Sequence, residues 1–373
     1  MKALKRNWLF LKAAVTKKVP VYVQFAVTKR CNLNCRMCQT TLARREEREL
    51  NLEEIAQLAD ILAEMKIAIL VLTGGEPLLR DDLVEIVKLF SRQGISVRLQ
   101  TNAVLADQDK VQDLLAAGLE EVTISLHSLY PEVNDRLTRV DGSWFKIMKG
   151  LANFIEFLPT RGNLSGINVT VSKYNIRELP ALVRFISFMG FNASLIPVHL
   201  TESDNQRFII RAYSPECSLN QADYGLIDEV YDELIKMKKE HYLIYNSFRF
   251  LRESREFLKT GRINWTCRSP DLYFSISPQG NFLPCVDIKT DNSMLRPDFM
   301  KNYRSGGLKE ETRRLARNCP GCMYACYPEI VYICTDPVTF LERVIFSLRS
   351  SRKILRKRSY DELLQAAEEF RSQ

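Results

Sequence analysis

Between residues 21 and 200 the chain alternates short runs of β-branched and apolar residues with longer amphipathic stretches. VYVQFAV (21–27), AILVLT (68–73), ISVRLQT (95–101), EVTISL (121–126), INVTVS (167–172) and ASLIPV (193–198) predict six strands. Between them, NLEEIAQLADILAEMK (51–66) carries leucine and isoleucine at helical spacing, and DDLVEIVKLFSRQG (81–94) ends on glycine, as helices often do. Six β–α repeats of this length predict parallel strands joined by helical crossovers, hence an α/β fold. The strand pattern fits a barrel and an open sheet equally.

The pattern then changes. Residues 216–262 read as a charged, mostly helical bridge. Residues 263–335 are poor in helical periodicity and hold six of the ten cysteines. The chain therefore divides into a basic and apolar segment (1–20), a β/α unit (21–215), the bridge (216–262), a cysteine-rich unit (263–335) and a basic amphipathic C-terminal helix (336–373). A boundary near 215 or 260 suits a chain of this length.

The longest apolar run, IAILVL (67–72), is far short of the roughly 20 residues that span a bilayer. The N-terminus lacks the apolar core and cleavage site of a signal peptide, so a cytoplasmic location is expected. Ten cysteines in a reducing compartment point to metal or redox chemistry rather than disulfides. His127, His199 and His241 are the only histidines and none falls beside a cysteine group, which argues for all-thiolate sites, iron–sulfur or structural zinc. The net charge is +8, with basic residues clustered at both ends, where they attract phosphates of lipid, nucleic acid or substrate.

Cys31, Cys35 and Cys38 follow the first predicted strand at C-x3-C-x2-C. In parallel α/β folds that strand end is where ligands bind. Four-iron clusters normally take four thiolates, so three local ones leave an iron open; a zinc site completed by a distant cysteine is the alternative. The loop KRCNLNCRMCQTT (29–41) resembles the cluster loop of the radical S-adenosylmethionine (SAM) enzymes. The resemblance implies a 4Fe–4S cluster whose open iron is chelated by SAM. It also implies a partial (β/α)6 TIM-like barrel, and an electron donor such as flavodoxin or ferredoxin.

Further segments resemble the family in order. VLTGGEPLLR (71–80) resembles its GGE motif, implying SAM contacts at Gly74, Gly75 and Glu76. LQTNA (99–103) and VTISLHS (122–128) end the third and fourth strands and imply contacts at Asn102 and Ser125; the segment 131–151 implies a carboxylate contact at Arg136 or Arg139. Two positions depart from the family pattern. Met37 stands where an aromatic residue is common, leaving its backbone for adenine, and His127 where an aspartate is common.

The later cysteines read C-x12-G-x4-C, then C-x2-C-x3-C-x7-C. Gly280 suits the turn of a hairpin between FSIS (274–277) and NFLPC, which would bring Cys267 and Cys285 together. By spacing alone two such pairs fit zinc as readily as iron–sulfur. The arrangement resembles the SPASM and twitch auxiliary-cluster extensions, closer to the single-cluster twitch form. That resemblance implies an auxiliary 4Fe–4S cluster on Cys267, Cys285, Cys319 and Cys322, with Cys326 as the substitute ligand. Cys334 reads as a buried thiol and Cys217 as structural.

By this resemblance an electron reaching the first cluster cleaves SAM to a 5′-deoxyadenosyl radical, which takes a hydrogen atom from substrate; a closed auxiliary cluster then favours oxidation or bond formation. Three substrate classes compete: a peptide or protein; a lipid, isoprenoid or glycan at an anionic membrane surface; and a small biosynthetic molecule. The membrane reading rests on Trp8, Leu9, Phe10 and Leu11 and on the basic apolar segment 340–358. A non-enzymatic zinc protein binding nucleic acid fits poorly, since no aromatic, basic stacking strip is present; no nucleic-acid partner is expected.

Overall fold

The computed structural model describes residues 2–40, 48–201, 209–352 and 354–372; Thr41 of the cluster loop and Lys353 of the C-terminal basic run lie outside them. The six expected strands are present, each within two residues of its predicted start: β1 (Tyr22–Thr28), β2 (Ile69–Gly74), β3 (Ser96–Thr101), β4 (Leu119–Ser125), β5 (Gly166–Val171) and β6 (Asn192–Pro197). Helix α1 (Lys2–Thr16) precedes them. The crossovers are α2 (Leu52–Glu64), α3 (Leu83–Arg92), α4 (Gln108–Ala116), α5 (Pro131–Thr138), α6 (Ser143–Phe157) and α7 (Leu179–Met189). The starts of α2 and α4 are set by side chains: Asn51 and Glu54 form a capping box, and Asp107 accepts from the Lys110 amide.

Helices α8 (Tyr224–Lys239) and α9 (Phe248–Thr260) follow, within residues 216–262. Strands β7 (Tyr273–Ile276) and β8 (Phe282–Leu283) then make the hairpin, Ser275 opposite Leu283, with Gly280 in its turn at φ +79°. β7 pairs in parallel with β1, Tyr22 opposite Tyr273, so the hairpin extends the same sheet. Among the described residues the order is β6-β5-β4-β3-β2-β1-β7-β8, all parallel as far as β7. The architecture is an open, curved α/β sheet of the partial-barrel kind.

The cysteine-rich unit holds more helix than its periodicity predicts: α10 (Phe299–Ser305), α11 (Gly307–Arg317) and α12 (Cys326–Thr335). In α12 every residue from Tyr327 to Cys334 is buried, so it lacks the two-faced pattern of a surface helix; α11 is two-faced, with Leu308 and Thr312 buried, but its apolar residues are few. The expected single C-terminal helix is two. α13 (Pro337–Arg352) runs beside α12, and α14 (Tyr360–Arg371) starts at a Ser359–Glu362 capping box and packs on α6 and α7.

Strand alternation sorts the two faces. Val23, Phe25, Leu70, Leu72, Val97 and Leu99 are buried in the core beneath the helices. Their neighbours Gln24, Thr73, Gln100, Thr123, Asn168 and Ser194 face inward and line one cavity of about 1100 Å³. The core thus lies between sheet and helices, and these strand positions carry polar side chains into the lumen.

Candidate active site

The cluster loop leaves the C-terminal end of β1 and is held there by backbone. Gly75 and Glu76 donate their amides to the Thr28 and Arg30 carbonyls at 2.8 and 2.7 Å. A Cβ on Gly74 or Gly75 would collide with those same carbonyls, and Gly74 sits at φ +142°. The GG pair therefore presses the end of β2 against the residues leading to Cys31.

Cys31, Cys35 and Cys38 open on the lumen cavity. Burial pushes the Cys35 thiol up, followed by the neighbouring Cys38 and Cys31, so the three sulfurs lie within one another's fields. The Leu33 amide points at the Cys31 sulfur (3.4 Å), and the Thr40 amide and hydroxyl at that of Cys38 (hydroxyl 3.0 Å). Amide dipoles of this kind favour thiolate, the form that binds metal.

Of the residues expected at SAM, Met37, Gly74, Gly75, Asn102 and Ser125 line the same cavity. Glu76 does not. Its fully buried carboxylate accepts from the Leu78 amide (3.0 Å), the Thr101 hydroxyl (2.6 Å) and the Asn102 amide (2.7 Å), while burial raises its pKa. It braces the ends of β2 and β3 together. Asn102 also reaches Asn32 in the cluster loop (2.7 Å), and the Asn32 amide nitrogen is buried without a partner.

Arg136 and Arg139 are likewise off the cavity wall. Arg136 lies over the Tyr174 ring at 5.9 Å, and Arg139 ends α5 in the left-handed region. His127 does line the cavity, and burial depresses its pKa to about 4. Its Nδ1 accepts from the Thr170 amide (3.2 Å), which places the proton of the neutral ring on Nε2.

The later cysteines form a second group. Burial is the main cause raising the Cys267, Cys285 and Cys322 thiols; Cys267 also feels Cys319, Cys285 feels Cys267 and Cys319, and Cys322 feels Cys285. Each of the four sulfurs is met by the amide two residues on: Ser269, Asp287 (3.4 Å), Gly321 (3.4 Å) and Tyr324. Cys326 stands apart. It lines the lumen cavity near Gln24 and Tyr22, with burial raising its pKa to about 12. Cys217 and Cys334 are buried. Among the described residues no three His, Cys, Asp or Glu side chains close on a single ion, so the two groups are gathered at the range of mutual electrostatic influence.

Three residues without a local sequence signal tie the groups together. Arg211 forms a β-bridge with Cys38, pairs with Asp287 beside Cys285 (2.7 Å), and donates to the Gly321 carbonyl between Cys319 and Cys322 (3.0 Å). His199, just past β6, accepts from the Met323 amide (2.7 Å) and lies against the Tyr324 ring, centroids 4.0 Å apart and tilted by 31°. Burial holds the His199 pKa well below its usual value, keeping the ring neutral and able to accept.

A model described as the radical SAM superfamily matches residues 25–186. The chain is 33% identical over 197 residues to a probable GTP 3′,8-cyclase of Thermococcus kodakarensis, covering 51% of this chain and 61% of that protein. It is 34% identical over 166 residues to Fe-coproporphyrin III synthase of Methanosarcina barkeri, covering 44% and 40%. It thus spans about half the length of these relatives. Streptococcus suis SuiB, solved bound to its precursor peptide SuiA, shares the fold at TM-score 0.60 and 18% identity, over 82% of this chain and 70% of that one. The family uses a 4Fe–4S cluster and SAM, and the C-terminal cysteines fit an auxiliary cluster. The three-thiol loop and the GGE strap behind it lie within the matched segment: residues 25–186 are a radical SAM domain.

Proposed function

We propose that this enzyme oxidises its substrate or forms a bond on it, with the C-terminal cluster accepting an electron. Cys31, Cys35 and Cys38 would hold the SAM-binding cluster, and Cys267, Cys285, Cys319 and Cys322 the auxiliary one. When bound, cluster and SAM supply reductive cleavage and hydrogen-atom abstraction. The protein contributes position and exclusion of water.

The observation that carries the reading is the placement of the two thiol groups. Cys31, Cys35 and Cys38 line the cavity; Cys267, Cys285, Cys319 and Cys322 do not, while Val286, Tyr324 and Ala325 from the same loops form its wall there. A group behind the wall is suited to passing electrons and is unsuited to ligating substrate. Four thiolates, each met by an amide, also complete the ligand set of a cluster.

The lumen residues Gln100, Thr123, Ser125, Asn168 and Thr170 offer hydrogen bonds to a polar reacting group, with neutral His127 donating from Nε2. The test is anaerobic reconstitution followed by iron analysis and Mössbauer spectroscopy, then incubation with SAM and dithionite. Two four-iron clusters and 5′-deoxyadenosine are expected. Zinc in the second site would remove the electron acceptor, and no 5′-deoxyadenosine would overturn the radical chemistry.

A further inference from the structure

The lumen has a second end. Helix α1 buries Leu9 and Ala13 and turns Trp8, Leu11 and Val15 outward, 57, 54 and 75% exposed. These three fall at i, i+3 and i+7, one stripe of the helix. α13 does the same with Val338, Leu341, Val344, Ile345 and Leu348, each at least 40% exposed. Both helices pack on α12. Leu11, Val344 and Leu348 are exposed and also line the lumen cavity, so the cavity opens between the stripes.

This mouth lies at the N-terminal ends of the strands, away from the cluster loop. Arg6 of α1 pairs with Glu120 (3.2 Å) at the start of β4. Phe346 of α13 packs on Tyr245, whose amide bonds to Ala193 at the start of β6. On its inner side α13 is held by ion pairs, Arg343 with Glu329 (2.8 Å) and Glu342 with Lys238 (3.1 Å). The outward stripes are therefore a separate surface.

Charge names its partner. Residues 1–20 and 343–358 together contain thirteen Lys and Arg and no Asp or Glu, more than the whole chain's net +8, so the remainder is net acidic. Lys12, Lys17 and Lys18 are exposed beside the α1 stripe, with Lys12 over Trp8 at 5.3 Å. A second copy docked through this face would set like charge against like in a two-fold interface. An anionic bilayer meets both features, taking the apolar stripes into its interface and the lysines at its headgroups. No helix among the described residues is long and apolar enough to cross a membrane.

We propose that the α1/α13 face docks on an anionic lipid bilayer, turning the second mouth of the lumen toward the lipid. This deepens the functional reading above, since it makes the membrane the source of what enters from that end.

The test uses the full-length, anaerobically reconstituted protein and co-sedimentation with vesicles of phosphatidylglycerol and phosphatidylcholine, or of phosphatidylcholine alone. Wild type is expected on the anionic vesicles and released by salt. Trp8→Asp with Leu341→Asp, and separately Lys12→Glu with Lys17→Glu and Lys18→Glu, are expected to weaken partitioning by about tenfold or more. Iron content and thermal unfolding report whether these variants fold. Hydrogen–deuterium exchange on vesicles is expected to protect α1 and α13. No wild-type partitioning, unchanged partitioning in both variants, or protection confined to other elements would overturn the proposal, as would self-association abolished by Trp8→Asp with Leu341→Asp. Failure to form 5′-deoxyadenosine in solution would instead sink the radical reading and leave the vesicle result standing.

Discussion

The Arg211 guanidinium and the Asp287 carboxylate meet at 2.7 Å with side chains 8 and 2% exposed, and each is attached to a different thiol group. Arg211 is bridged through its backbone to Cys38, while the Asp287 amide points at the Cys285 sulfur. One buried ion pair thus spans both candidate cluster loops. Removing one partner of such a pair leaves the other charged in a dry site.

Arg211→Ala should therefore destabilise the protein by about 3–5 kcal/mol in denaturant unfolding. Replacing both partners, as in Arg211→Met with Asp287→Leu, should recover part of that loss. Iron content of the single variant should fall at both sites, because both loops lose their shared anchor. A variant of unchanged stability that binds full iron would show that the pair does not hold the loops.

Cys322 and Cys326 should behave differently although both are cysteines of the same short segment. Cys322→Ala should lower iron, by up to one cluster's worth, since the three remaining thiolates leave one iron without a protein ligand and, unlike the first site, without SAM to cap it. Cys326→Ala should leave iron unchanged, because Cys326 faces the lumen and Gln24. Equal iron loss in both would place Cys326 among the ligands.

Gly74→Ala and Gly75→Ala place a methyl group against the Thr28 and Arg30 carbonyls. Backbone cannot yield as a flexible side chain does, so each should cost about 1–3 kcal/mol or more. The strand end must move away from Cys31, and SAM cleavage should fall with it. Gly142→Ala, at a positive φ but in open space, is the control, with strain and no collision. If it impairs cleavage as much as Gly75→Ala, close packing behind the loop is not what the GG pair supplies.

Two titrations oppose each other just past β4, those of His127 and of Glu178, which precedes α7 and accepts from the Ser128 hydroxyl (2.6 Å) and the Leu129 amide (2.9 Å). Burial lowers His127 from 6.5 to about 4, so its contribution to stability is complete above pH 6.5 and is lost as pH falls toward 4. Burial raises Glu178 from 4.5 to about 7, so its contribution is complete below pH 4.5 and is lost as pH rises toward 7. Each amounts to about 3 kcal/mol, and the two slopes oppose each other between pH 4.5 and 6.5. Relative to wild type, His127→Gln should lose stability as pH rises through that window, and Glu178→Gln should gain it. Chemical denaturation across the range checks both; parallel profiles would show that neither group shifts as burial requires.

Much of the architecture was legible in local pattern. Period-two alternation is imposed by the pleat and the apolar stripe by the helical turn, so β1 to β6 and the first crossovers announce themselves within windows of a few residues. The Cys31 loop and the GG pair were legible for the same reason: their residues sit within a few positions of a strand end. Where a helix is buried along most of its length, as α12 is, the two-faced signal vanishes and so did the prediction; α11 keeps two faces, but with only Leu308, Leu315 and Ala316 on the apolar one it announces itself weakly.

What local pattern could not carry is contact between distant segments. Glu76 read as a ligand contact because its motif says so, yet Thr101 and Asn102, 25 and 26 positions away, occupy its carboxylate. Arg211 and Asp287 are 76 positions apart, and His199 and the Met323 amide 124. No periodicity links such pairs, since they meet only when β6, the hairpin and the cysteine loops pack at one end of the sheet. Cysteine spacing proposes two thiol groups; folding alone decides that one faces the lumen, that the other lies behind its wall, and that α1 and α13 flank a second mouth. Alternation along a chain encodes which face of an element is buried, and only closure of the sheet determines what that face meets.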